Sequence, residues 1–307
     1  MRGFPLGRYR SVLSVCVLTM FGAVRAEEAD TVAVVVALQS RNIAAYDSVI
    51  FGFEEQLKYV FAGTTNFNLQ RISLKDVDPK ALALQFQELN PMVTLSLGTP
   101  ATRLAQEKLA EGSVLFSLVG EPEESGIEPP GIRMGIPELA KLDVLVQIFK
   151  DGKFGTIYSA NSVKAYRRLE EACLAHGVEL TGIMINNPGE FPQACKKLFK
   201  LIDCFIMLPD TALYSPDSVA FLLRRGLKQG TAIVGLSSRY TQAGALISFG
   251  VDYCDIGKQA AQLWVDGEKT YLAPRKMNFS LNLLAARQIK LQLPKEIVDE
   301  AIIVIGQ

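Results

Sequence analysis

Residues 93–109, VTLSLGTPATRLAQEKL, lead from a short apolar strand straight into a helix. Gly98 allows a tight turn between the two. Thr99 is the expected N-cap, because its hydroxyl can accept a hydrogen bond from a first-turn amide, and Pro100 suits the first helical position. A helix that begins at the carboxyl end of a strand presents free amides and a partial positive charge to an anion. The stretch therefore predicts a binding position at a sheet edge, with simple helix capping as the alternative.

The same alternation of strand and helix extends outward in both directions. TVAVVVAL, from Thr31, is the continuous β-branched run of a parallel strand that is covered on both faces. Two runs of strand–helix units, each of about a hundred residues, flank the turn-rich segment 121–131 and predict an α/β fold with two doubly wound, Rossmann-like lobes. The tail is too short for a third lobe. We expect residues 27–136 plus about 244–274 in the N-terminal lobe, and 137–243 plus about 275–307 in the C-terminal lobe.

Residues 1–26 have the pattern of a secretory signal peptide. Three arginines precede an apolar run at 12–24, which is too short for a comfortable membrane span. The segment ends in Val24-Arg25-Ala26, which fits the small-residue pattern of a signal peptidase site. We expect cleavage near Ala26 and export to the periplasm, with an uncleaved anchor as the alternative.

Charge and motif content narrow the class of function. Without residues 1–26 the chain has 28 basic and 32 acidic residues, a net charge of −4, which offers no electrostatic footprint for nucleic acid. The single histidine, His176, forms no zinc pattern with the cysteines, and no metal or cofactor is expected. No G-x-S-x-G elbow, phosphate loop or paired-carboxylate motif is present, so we expect no enzymatic activity.

Four cysteines remain after the signal segment, and no two have C-x-x-C spacing. They are Cys173, Cys195, Cys204 and Cys254. An oxidising compartment would permit disulfides, and Cys195 with Cys204 is the nearest pair. A core of this size does not need them, so buried free thiols are the expected state.

The tail carries a series of motifs in a fixed order. They are Gly244-Ala245-Leu246, Asp252-Tyr253, Gly257, Asn282, Ala286 and Pro294, preceded upstream by Gly52-Phe53, Gly98-Thr99-Pro100-Ala101 and Glu121-Pro122. In this order and spacing the chain resembles the family of ABC-transporter substrate-binding proteins that includes tryptophan/tyrosine-type periplasmic components. The resemblance covers essentially all of the chain after the signal segment. The family more often has Asp-Pro where this chain has Glu121-Pro122.

The resemblance implies a type I periplasmic-binding-protein fold, in which a three-crossing hinge joins two lobes that close on a ligand. The implied function is that of an exported solute-binding protein of an ABC importer. It would capture a small amino-acid-like ligand, with aromatic amino acids leading, and deliver it to a permease in the inner membrane. A periplasmic sensor or adaptor that presents ligand to a receptor or kinase is the alternative. We expect a monomer.

In such a clamp the ligand meets the strand-end loops of both lobes. The candidate ligand-binding residues are Tyr46, Thr99, Pro100 and Glu121 in the first lobe, and Asn161, Asp210, Thr211, Ser237 and Phe249 in the second. Thr99, with the amides that follow Pro100, could hold a carboxylate. Asp210 could pair with an ammonium group, because a buried charge needs a partner, or it could be a turn aspartate.

The other candidates each have a structural alternative. Glu121 competes with Asp210 for the ammonium group, or forms a hinge-side salt bridge. Tyr46 could stack on an aromatic ligand or pack on its own lobe. Asn161 and Ser237 could bond the ligand or cap helices, and Phe249 could line the cleft or belong to the hinge core. Trp264 is expected to be a packing residue.

Overall fold

The computed structural model describes residues 32–62, 65–76, 78–109 and 114–306. From Val32 onward the chain forms one compact unit. The predicted signal peptide and its cleavage site near Ala26 lie outside the described residues. Within the described part of the chain, no helix combines the length and the apolar character needed to cross a membrane.

The first half of the chain alternates strand and helix, as its sequence predicts. Its elements are β1 (Ala33–Gln39), α1 (Ala44–Val60), β2 (Phe67–Ser73), α2 (Pro79–Leu89), β3 (Val93–Leu97), α3 (Thr99–Lys108), β4 (Val114–Val119) and β5 (Gly131–Arg133).

The second run follows without a long linker. Its elements are α4 (Glu138–Ile148), β6 (Phe154–Tyr158), α5 (Val163–Ala175), β7 (Leu180–Met184), α6 (Phe191–Leu198), β8 (Cys204–Ile206), α7 (Pro216–Gln229), β9 (Ala232–Gly235), α8 (Ser238–Ala243) and β10 (Ile247–Val251). The tail adds α9 (Tyr253–Val265), β11 (Tyr271–Leu272), β12 (Met277–Asn282), α10 (Leu283–Gln288), α11 (Lys295–Glu300) and β13 (Ile303–Ile305).

The strands form two separate sheets. The first has the order β11-β5-β4-β3-β1-β2, with every pairing parallel. The second has the order β13-β12-β10-β9-β8-β6-β7 and is parallel except for the antiparallel pair β10–β12. This confirms the α/β fold with two doubly wound lobes.

The first sheet is covered on both faces, as its apolar strands require. Val35 and Ala37 of β1 face the cluster formed with α1 and α9, whereas Val36 and Leu38 face the cluster formed with α2 and α3. All five residues of β3 are buried. Trp264 packs edge to face on Phe61, with ring centroids 6.2 Å apart, as expected of a packing residue.

The chain crosses between the lobes three times, after β5, after β10 and after β11. The sequence predicts that residues from about 244 belong to the N-terminal lobe. β10 instead pairs with β9 and β12 in the second sheet, and the chain returns to the first lobe only with α9, which packs on α1. The difference arises because periodicity identifies a strand but does not say which sheet it joins.

Candidate functional site

At the carboxyl edge of the first sheet, Ser40, Tyr46 and Gly98 meet at the start of α3. The amide of Ala101 donates a hydrogen bond to Ser40 Oγ at 2.9 Å. Tyr46 is 8% exposed, and a Cβ at Gly98 would overlap its hydroxyl. Burial raises the pKa of the Tyr46 phenol, although a hydrogen bond with the Ser40 side chain acts in the opposite direction. The cluster is therefore tightly packed, and it leaves no room for a side chain at position 98.

This arrangement changes the predicted start of α3. The N-cap is Gly98, at a φ of 82° that favours glycine, so Thr99 is the first helical residue and Pro100 follows it. The capping acceptor is Ser40, from the end of β1, and not the hydroxyl of Thr99. The Ala101 amide, one of those predicted to be free for a ligand, is thus already bonded. Thr99 remains half-buried and Pro100 exposed at this edge.

The second lobe places a buried carboxylate at the corresponding edge of its sheet. Asp210 is 6% exposed, and its Oδ2 accepts hydrogen bonds from Ser159 Oγ and Ser162 Oγ, each at 2.6 Å. Its Oδ1 accepts from the amide of Ala212 at 3.0 Å. Burial alone would raise the pKa of Asp210, but these bonds and one from the Leu213 amide outweigh it, so the pKa lies below its ordinary value.

Asp210 is therefore a charged group that also ties together the loops after β6 and β8. All the groups that donate hydrogen bonds to Asp210 are neutral, which fits the alternative that Asp210 is a turn aspartate. Within the described part of the chain, no lysine or arginine forms an ion pair with it. Asn161 and Thr211 lie beside it and are exposed. Their positions keep them candidates for contact with a ligand.

Ser40, Ser159 and Ser162 also belong to these clusters, although none of them is a candidate by sequence alone. Ser159 and Ser162 do carry a local signal, because they form a reciprocal capping box at the 3₁₀ helix Ala160–Ser162. Ser40 has no such signal, since its partner Ala101 is 61 residues away in the sequence.

The remaining candidates lie in other settings. Glu121 is exposed and forms an ion pair with Arg168 on α5, with Oε1 and Nη2 2.8 Å apart. Ser237 precedes α8, but its side chain makes no capping bond. Phe249 is 5% exposed and packs edge to face on Phe279 in the core of the second lobe, with centroids 6.1 Å apart. The structure therefore places Phe249 in the core of the second lobe and not in either of the two clusters.

The described residues include no group of three or more histidine, cysteine, aspartate or glutamate side chains placed to hold a metal ion. Cys173, Cys195 and Cys204 are buried free thiols, and Cys254 is a partly buried one. Burial raises the pKa of Cys173 and Cys195 to about 12, so these thiols are protonated and unreactive at neutral pH. Cys173, Cys195 and Cys204 are buried as expected, whereas Cys254 is only partly buried.

Comparison with known proteins gives the family. A family model described as ABC transporter substrate binding protein matches residues 147–305, more than half of the chain. No curated protein matches the sequence significantly.

Several solved structures share the fold. The ligand-free, open structure of a substrate-binding protein with adhesive properties from Clostridium difficile has a TM-score of 0.74 and 16% identity, over 90% of this chain and 100% of that one. An ABC domain in complex with L-Trp from Streptococcus pneumonia has a TM-score of 0.57 and 14% identity, over 90% and 100%. A conserved domain protein from Vibrio cholerae has a TM-score of 0.57 and 20% identity, over 89% and 99%.

Two lobes of this topology, joined by three crossings, define a type I periplasmic-binding-protein fold. The chain belongs to the ABC transporter substrate-binding protein family. Proteins of this family are generally non-enzymatic, and those that serve importers are generally exported.

Proposed function

We propose that this protein is an exported solute-binding protein of an ABC importer and captures a small amino-acid-like ligand between its two lobes. Asp210 carries the proposal. It is a buried carboxylate at the carboxyl edge of the second sheet, its pKa is low, and no cation among the described residues neutralises it. Neutral hydrogen-bond donors already stabilise this charge, and a ligand ammonium group would add the ionic partner that the described residues do not supply.

The first lobe offers the complementary charge. The N-terminus of α3, with Thr99 at its first position, carries the positive end of the helix dipole at the carboxyl edge of the first sheet. A zwitterionic α-amino acid has a carboxylate for this edge and an ammonium group for Asp210. Tyr46 lies at the same edge but is buried in the core cluster of its own lobe, where it packs against the start of α3.

Binding to both lobes would favour the closed arrangement, since the ligand contacts both edges only when they approach. The three crossings allow this motion without breaking either sheet. The closed form would then present both lobe faces to a permease in the inner membrane. Asn161, Thr211 and Ser237 are the polar side chains that would complete the ligand contacts.

The test uses the chain from Glu27 onward, with tryptophan and indole-3-propionate, which lacks the ammonium group. An amino acid at a hundred times its dissociation constant should stabilise the protein by about 2.7 kcal/mol. In calorimetry, Asp210→Asn should weaken tryptophan binding by about 1.5–3 kcal/mol, the scale of one charge-assisted hydrogen bond. The variant should also bind the two compounds almost equally.

Asparagine is the informative replacement because it keeps the shape of the side chain and can still accept the Ala212 bond. Asp217→Asn, at an exposed position in the first turn of α7, removes the same charge elsewhere and should leave affinity unchanged. Equal tryptophan affinity in the wild type and in Asp210→Asn would remove Asp210 from the site. A panel of amino acids that leaves the melting temperature unchanged would contradict the proposed ligand class.

A further inference from the structure

Two ion pairs join the lobes directly. Glu121 Oε1 lies 2.8 Å from Arg168 Nη2, and Glu124 Oε1 lies 2.5 Å from Lys164 Nζ. Both glutamates follow β4 in the first lobe, and both cations lie on α5 in the second. The other ion pairs of the described residues lie within one lobe or tie α9 to the third crossing.

The two pairs match in spacing. Lys164 and Arg168 are four residues apart on α5, so they lie on one face of the helix. Glu121 and Glu124 are three residues apart in a hydrogen-bonded turn, in which the Ser125 amide donates to the Glu121 carbonyl. Two acidic groups on one lobe therefore face two basic groups on the other, and the interaction is a small array rather than an isolated contact.

The acidic turn is fixed to the first lobe by α3. Arg103 donates two hydrogen bonds to the Ser125 carbonyl, at 3.2 and 3.1 Å. The Gln106 side chain donates to the Glu128 carbonyl at 2.6 Å and accepts from the Glu128 amide at 3.1 Å. Glu121 has a φ of 47°, which is uncommon for a residue with a Cβ and is held here by the turn. The carboxylates thus move with the first lobe.

We propose that Glu121–Arg168 and Glu124–Lys164 form an electrostatic latch that opposes opening of the lobes. The latch itself does not depend on the proposed function; only its expected effect on ligand binding rests on that function. Opposite charges attract at every separation, so a rotation that moves the lobes apart raises the Coulomb energy of both pairs. The side chains are 46–69% exposed, so salt screens the latch.

The latch should make ligand affinity depend on ionic strength, which the charge of the ligand itself would not do. An amino acid has no net charge at neutral pH, so its own capture should depend weakly on ionic strength. If closure is favoured by the latch, affinity should fall as salt rises. For exposed pairs of this kind we expect a loss of about threefold between about 0.01 M and 1 M salt, where the screening length falls from about 30 Å to about 3 Å.

The direct test measures the distance between the lobes without ligand. Spin labels at Lys75→Cys in the first lobe and Lys196→Cys in the second, both exposed positions, are introduced with Cys254→Ser into the chain from Glu27. At low salt, Arg168→Glu should shift the distance distribution measured by double electron–electron resonance to longer values. Wild type in 1 M NaCl should shift in the same direction.

A charge swap separates the latch from a general loss of stability. The double variant Glu121→Arg/Arg168→Glu restores opposite charges and should restore the wild-type distribution. Lys58→Glu reverses the exposed charge of the Glu54–Lys58 pair, which is 2.8 Å long and lies within α1, and should not change the distance. An unchanged distribution in Arg168→Glu at low salt would overturn the latch.

Calorimetry with tryptophan then tests the link to binding. Glu121→Gln/Glu124→Gln should raise the dissociation constant about threefold and flatten its dependence on salt. A longer inter-lobe distance with an unchanged dissociation constant would overturn that link. Failure of wild type to bind tryptophan would count against the proposed function but not against the latch, because the distance measurement requires no ligand.

Discussion

Gly257 of α9 lies directly against the carbonyl oxygen of Val49 on α1, with no space for a Cβ between them. Gly52 of α1 approaches the carbonyl of Cys254 in the same way. Two glycines, one on each helix, thus allow the two backbones to touch. This contact docks α9 onto the first lobe, although some two hundred residues separate it from α1. It also gives a packing reason for two glycines in the family-like motifs.

Gly257→Ala should therefore destabilise the protein by about 3 kcal/mol, because the added methyl group meets backbone that cannot move aside. Urea unfolding followed by circular dichroism measures the loss. Gly120→Ala is the matched control, since a Cβ there meets nothing within 4 Å. A change below about 0.5 kcal/mol in Gly257→Ala would show that the helices can separate at little cost.

Asp255, at the start of α9, holds the third crossing. Arg275 donates to both of its carboxylate oxygens, at 2.8 and 2.9 Å, and Lys276 lies 3.1 Å away. Asp255→Asn should lower the free energy of unfolding at pH 7 by about 3 kcal/mol. This value is at the low end of the loss expected when a buried ion pair is broken, because Arg275 is half exposed.

The pH dependence of this effect follows from the pKa of Asp255. Arg275 holds that pKa below its ordinary value of 3.8, with Lys276 assisting and burial opposing. A lowered folded-state pKa stabilises the protein above the unfolded pKa, and the contribution is lost as pH falls through the folded value. The difference between wild type and Asp255→Asn should thus be constant from pH 7 to about pH 4 and shrink below it. A difference that persists undiminished at pH 2 would contradict this.

His176 links α5 to α4. Its Nε2 lies 2.8 Å from Asp143 Oδ1 and its Nδ1 lies 2.9 Å from the Ala172 carbonyl, so both ring nitrogens face acceptors. The hydrogen bond with Asp143, followed by that with Ala172, raises the pKa of His176 above 6.5. The stabilisation is therefore complete below the unfolded pKa and is lost as pH rises through the folded pKa.

Proton NMR can follow this residue without assignment, because the chain has one histidine. We expect a midpoint above 6.5 in the wild type and a lower one in Asp143→Asn. Asp151→Asn, on the exposed turn after α4, removes the same charge and should leave the midpoint in place. Identical titration curves for wild type and Asp143→Asn would exclude the proposed cause of the shift.

Local sequence identified the strand–turn–helix unit at 93–109, because its periodicity records which side chains are buried and glycine marks the turn. It did not identify the acceptor that caps α3. That acceptor, Ser40, is 61 residues from Ala101, and the Ser159–Asp210 bond spans 51 residues. Nothing in the local pattern indicates either pairing. Both depend on the ends of parallel strands meeting at one edge of a sheet.

The sequence by itself determined the order of strands and helices and the division into two α/β runs, since both follow from local propensity and from the alternation of apolar residues. Only the tertiary structure decided that β10 belongs to the second sheet, that Phe249 is core, and that Glu121 pairs with Arg168. These outcomes depend on which distant surfaces meet. The type of a residue determines the chemistry of its side chain, but the packed fold determines which distant residue that side chain meets.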